Sequence, residues 1–78
     1  MKFNYSKLLG KMKECGFSQE QLAKAIGVSE STLNAKLNNK YYFNAKEMYL
    51  ICKALNIDIE EMSAYFFATE VRDFGTIA

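Results

Sequence analysis

Apolar residues fall at helical spacing in five short stretches, each bracketed by polar residues of the kind that start and stop helices. The first can begin at Asn4 and run through Leu8, Leu9 and Met12 to Cys15, with Gly16 free to take the left-handed conformation that ends a helix. Ser18 opens the second. Its hydroxyl can accept from the Gln21 amide while the Gln21 side chain reaches back, and Phe17 and Leu22 are spaced as a hydrophobic staple across that start. Gly27 closes it. Ser29 opens a third stretch, stapled by Val28 and Leu33, that reaches about Leu37. Asn44 opens the fourth, with Glu47 completing a capping box and Phe43 set against Met48. Asp58 opens the fifth, with Glu61 in the box position and Ile57 set against Met62. Asn39 and Asn56 stand at two stop positions, where asparagine tolerates the required positive φ best after glycine.

Each cap contributes only about 1 kcal/mol, so the caps fix where helices start while the apolar faces supply most of the stability. The expectation is an all-α, compact five-helix domain with its core over about residues 4–66 and a C-terminal segment over 67–78. The run Tyr65-Phe66-Phe67-Ala68-Thr69-Glu70-Val71 is too apolar to be left in water. It can extend the fifth helix, fold back on the core or form a short strand against a partner chain, and all three placements are open.

Composition narrows the classes. The 78 residues suffice for one domain with one modest core, so a single module carries the function. With 50% apolar and 24% charged residues, the chain has ordinary globular composition. No apolar run approaches the roughly 20 residues of a membrane span, and Met1-Lys2-Phe3-Asn4-Tyr5 lacks the apolar core of a signal peptide, which gives a cytoplasmic expectation with no membrane partner. Cys15 and Cys52 fall inside helical patterns without metal-binding spacing, and there is no histidine. Both read as reduced thiols in or beside the core. The lack of histidine also removes Ser-His and Cys-His catalysis within one chain, so the expectation is a non-enzyme with no cofactor, no metal and no small-molecule ligand.

The net charge is +1, but it is unevenly distributed: residues 1–56 carry +5 and residues 57–78 carry −4. That split suits a basic working face ahead of an acidic end turned away from phosphates, and it suits an ordinary solvated surface as well.

The stretch Gln19 to Asn38 carries the most specific pattern. Ala23 is small where two helices would cross closely, Gly27 supplies backbone freedom for a tight turn, and Leu22, Ile26, Val28 and Leu33 can meet beneath the crossing. Ser29 caps the next helix so that its first turn projects amides toward an anionic neighbour. At 100° per residue, Leu33 and Leu37 define the buried side and place Ser31, Asn34, Ala35 and Asn38 opposite. Short polar side chains let a helix backbone approach base edges, whereas a protein-binding face is expected to carry larger apolar groups.

The pattern Gln-x-x-Leu-Ala-x-x-x-Gly-Val-Ser-x-x-x-Leu, followed by Asn38, resembles the XRE or lambda-repressor-like helix-turn-helix family. The resemblance extends through 38–45 and 55–62 and covers roughly residues 4–66. It implies a lambda-repressor-like fold with a recognition helix at about 30–37 in the major groove. It also implies that Gln19 and Asn38 grip phosphates while Glu30, Ser31, Asn34 and Ala35 face bases. Two positions depart from the family: Lys36 stands where an apolar residue is usual, so Leu37 is expected to supply the core contact, and Asn39 replaces the usual glycine.

Around that helix, Lys36, Lys40 and Lys46 are placed to neutralise phosphates, which sets affinity and salt dependence rather than sequence preference. Tyr41 and Tyr42 follow in the loop, where a hydroxyl can reach a phosphate or one ring can cover the core. Asn44 can serve as helix cap and phosphate neighbour. Two roles are open to Glu30: favourable electrostatics at a helix start, or acceptance of a hydrogen bond from cytosine N4.

The functional expectation is a sequence-specific double-stranded DNA-binding transcriptional regulator, a phage or prophage repressor of Cro-like size, acting as a homodimer on a pseudo-palindromic operator. Tyr65, Phe66 and Phe67 are the candidate dimer contacts, against the alternative that they finish the intramolecular core. The competing class is an antitoxin or adaptor that uses the same fold to bind protein.

Overall fold

The computed structural model describes residues 2–69. Five helices follow one another: α1 (Ser6–Glu14), α2 (Gln19–Ile26), α3 (Glu30–Leu37), α4 (Ala45–Leu55) and α5 (Met62–Phe66), the last entered through a 3-10 turn at Ile59–Glu61. The all-α, five-helix expectation holds. Residues 70–78, which carry the end of the expected C-terminal segment and part of its acidic charge, lie outside the described residues.

The starts follow the capping rules at three places. Ser18 and Asn44 each form a full capping box, with Gln21 and Glu47 respectively reaching back to the cap backbone. Ser29 accepts from the Thr32 amide at 3.1 Å. The partners expected to staple these starts, Phe17, Val28 and Met48, are half-buried against the core.

The stops are equally local. Gly16, Gly27, Asn39 and Asn56 all have positive φ, between 57° and 78°. At each, the amide of the next residue turns back to the carbonyl five residues earlier, as in Phe17 to Met12 at 2.8 Å and Lys40 to Ala35 at 2.9 Å. This closure satisfies carbonyls that the helix end would otherwise leave open.

Two starts differ from expectation. Helix α1 begins at Ser6 rather than Asn4, because the Asn4 amide N–H is drawn to the Ala68 carbonyl at 2.6 Å while its side chain accepts from Ser6 N at 2.9 Å. The expected capping box between Asp58 and Glu61 does not form: the Glu61 amide donates to the Asp58 main-chain carbonyl at 2.8 Å, tightening the chain into the 3-10 turn, and the Asp58 side chain makes no cap bond.

Helix α2 packs on both α3 and α4, and α5 packs on α1 and α4. Leu8, Leu22, Leu33, Ile51, Leu55 and Phe66 lie fully inside this arrangement. An edge-on aromatic chain, Tyr5–Phe43–Phe66 with ring centroids 5.5 Å apart at each step, joins the start of α1, the start of α4 and the end of α5. Burial, and secondarily the neighbouring Tyr42, holds the Tyr5 phenol above its ordinary range, and burial does the same to the Cys52 thiol. Cys52 is buried as expected of a core thiol, while Cys15 is exposed with its Sγ 3.5 Å from the Leu55 carbonyl.

Of the two roles open to the C-terminal aromatics, Tyr65 and Phe66 take the intramolecular one. Both are buried within their own chain, and Phe67, though exposed, pairs its ring with Phe3 in a T-shaped contact at 5.8 Å. The chain folds back at this point, with Thr69 bridging Phe3 in antiparallel fashion.

Asn39 explains its own departure from glycine. Its side-chain amide is paired with the Phe3 main chain, accepting from Phe3 N at 2.8 Å and donating to Phe3 O at 3.0 Å. Asn39→Gly is therefore expected to cost about 1 kcal/mol net, since two partly buried bonds outweigh the relief of positive φ. Among the described residues Asn56 has no such side-chain bond, so Asn56→Gly is expected to be neutral or stabilising by up to about 1 kcal/mol. Urea denaturation should give a lower midpoint for Asn39→Gly than for the parent and an unchanged or higher one for Asn56→Gly; an Asn39→Gly midpoint at or above the parent's would refute the role of the Asn39–Phe3 pairing.

Candidate nucleic-acid interface

Helices α2 and α3, eight residues each, are joined by the three-residue turn Gly27–Ser29. Ala23 is 2% exposed and Leu33 fully buried, so the small residue and the inner leucine sit between the helices as their spacing predicted. Leu37 is half-buried against the core.

The outer edge of α3 is open. Glu30, Ser31, Asn34 and Asn38 are exposed, and Ala35 is half-buried. Of the surrounding residues, Lys40, Tyr41, Asn44 and Lys46 are exposed and Gln19 is half-buried. Both loop tyrosines are exposed, but Tyr42 pairs its ring with Phe3 in a T-shaped contact at 5.8 Å, so Tyr41, with no ring partner among the described residues, is the freer to reach outward. Asn44 uses its carbonyl oxygen as the cap, accepting from Glu47 N at 2.8 Å, which leaves its amide NH2 to serve a second partner.

Lys36 departs from its expected place at the phosphates. Its ammonium turns inward and donates to both carboxylate oxygens of Glu47, at 2.6 and 2.8 Å, with the two side chains only 12% and 9% exposed. Glu47 also accepts from the Asn44 amide at 2.9 Å, so one carboxylate ties the inner side of α3 to the first turn of α4. A buried, doubly hydrogen-bonded ion pair thus fills the position where the resembled family carries an apolar side chain. Sequence reasoning did not find this pair. The available signal was that Lys36 lies three residues after Leu33 and therefore near the buried side, where a cation needs a carboxylate.

Three amides form a row along the outer edge. Asn38 Nδ2 donates to the Asn34 main-chain carbonyl at 2.8 Å and to Asn34 Oδ1 at 3.1 Å, and Asn34 Nδ2 donates to Gln19 Oε1 at 3.3 Å. The Gln19 Nε2 group is left to donate outward, which suits a phosphate. Asn38 spends its N–H groups on Asn34 and must release one to grip a phosphate as expected.

Among the described residues there is no group of three acidic, Cys or His side chains able to hold a metal, and no helix is long and apolar enough to cross a membrane. The open polar edge and the fold define a small helical protein with a surface chemistry of amides, hydroxyls and scattered lysines. The chain belongs to the family described as "Protein of unknown function (DUF739)", which matches it over residues 1–69. In sequence and fold it is similar to the modulator of repression (MOR) of the temperate bacteriophage TP901-1 from Lactococcus lactis, known from a solution structure. The identity is 35% over 92% of this chain and 97% of that one, with a TM-score of 0.73. No curated protein matches the chain.

Proposed function

We propose that this protein is a double-stranded DNA-binding regulator of a phage genetic circuit, with α2 and α3 acting as a helix-turn-helix of the XRE type and α3 entering the major groove. The observation that carries the reading is the contrast across α3: Leu33 fully buried, Ser31, Asn34 and Asn38 exposed on the far edge. An edge of short polar groups can approach base edges where bulky apolar groups could not. The likeness to a phage modulator of repression supports the regulatory setting. Lys40, Lys46, Tyr41 and Gln19 are the backbone contacts in this reading, and Lys36 is not among them. A lone domain of this size reads few base pairs, so the working unit is a twofold dimer formed without Tyr65 and Phe66.

Two observations favour a second reading, an adaptor that binds protein. Glu30 is exposed on the same helix and Lys36 is neutralised by Glu47, so attraction for phosphate falls to Lys40 and Lys46. The relative is also named for modulating repression.

Selection from a random duplex pool at two salt concentrations, followed by footprinting, separates the readings. The DNA-binding reading expects a symmetric consensus with half-sites about 34 Å apart and affinity that falls steeply with salt. Failure to enrich any duplex at either salt would overturn it.

A further inference from the structure

We infer that Asn34 reads an adenine in the major groove, its amide held in the required orientation by the row of Gln19, Asn34 and Asn38. This inference rests on the DNA-binding reading and adds to it the identity of one base.

An asparagine amide has two nearly equivalent orientations, related by a half-turn that exchanges its oxygen and nitrogen. Here one main-chain atom decides between them. The carbonyl oxygen of Asn34 can only accept, so the Asn38 group 2.8 Å from it must be the NH2. That same Nδ2 lies 3.1 Å from the Asn34 side chain, which must therefore turn its oxygen toward Asn38 and its nitrogen toward Gln19. Gln19 then presents Oε1 to Asn34 at 3.3 Å. A half-turn of Asn34 alone would set NH2 against NH2 at one side and oxygen against oxygen at the other.

The row uses one N–H and one lone pair of Asn34, leaving one of each on an exposed side chain. In the major groove adenine offers the complement, an acceptor at N7 beside a donor at N6. Guanine offers two acceptors, cytosine a donor and thymine an acceptor beside a methyl group. A fixed donor and acceptor pair therefore selects adenine and rejects guanine most strongly. Asn38 is a positioning residue here: its role is to hold the polarity of the Asn34 amide.

The test uses the full chain on the duplex selected as above, with each adenine of one half-site replaced in turn by the other bases and by 7-deazaadenine, which lacks the N7 acceptor. The parent protein should prefer adenine at one position by about five- to a hundredfold and lose a comparable factor on the analogue there. Asn34→Ala and Asn34→Asp, both verified as folded by circular dichroism, should lose that preference and bind adenine and 7-deazaadenine alike. Asn38→Ala should narrow the preference at the same position. Full preference retained by Asn34→Ala, or by Asn38→Ala, overturns the inference while a selected consensus still supports DNA binding. If the parent enriches no duplex, the DNA-binding reading fails and this inference falls with it.

Discussion

Glu47→Ala is expected to destabilise the protein by about 3–5 kcal/mol, the cost typical of removing one partner from a buried ion pair. The alanine leaves the Lys36 ammonium without its partner on a side chain only 12% exposed, and it removes the acceptor of the Asn44 backbone amide. Two burdens thus fall on the same junction between α3 and α4. Glu47→Gln should cost less, because an amide oxygen still serves Asn44 N and faces the ammonium. Combining Glu47→Ala with Lys36→Met should recover most of the loss, since the buried charge is then gone and a flexible apolar chain fills the space. Urea denaturation of the two single variants and the double variant gives the coupling directly. If the single effects simply add, the pair does nothing for stability and the account of α3 anchoring is wrong.

That pair also shows what could and could not be read from the chain. Helix starts at Ser18, Ser29 and Asn44, and stops at Gly16, Gly27, Asn39 and Asn56, were legible because each depends on residues within five positions of one another. The open edge of α3 was legible for the same reason: a 100° period fixes which residues oppose Leu33. Where a distant segment competes for the same backbone group, local reading fails. Asn4 gives its N–H to Ala68, and the start of α1 moves to Ser6. Asn39 meets Phe3 across 36 residues, so its preference over glycine had no local cause to find. The candidate site divides along the same line, since the exposed residues followed from spacing while Lys36 joining Glu47 depended on how α3 meets α4. The polarity of the Gln19–Asn34–Asn38 row is likewise a matter of atoms rather than residue types.

Phe66→Ala is the substitution expected to rival Glu47→Ala, at about 3–5 kcal/mol. Phe66 is 1% exposed, and its ring meets Phe43 edge-on at 5.5 Å, just before the Asn44 cap of α4. Truncation opens a cavity where α5 closes against α4, and a helix as short as Met62–Phe66 has little propensity of its own with which to stay in place. For a domain of this size the melting temperature should fall by about 12 °C or more. The form of the loss separates the two roles considered for this aromatic. As a core residue, Phe66 sets the stability of a single chain, so the drop should be the same at every protein concentration. Were Phe66 a dimer contact, the deficit would shrink as concentration rises, and a melting point that climbs back toward the parent's in concentrated solution would overturn its placement in the core.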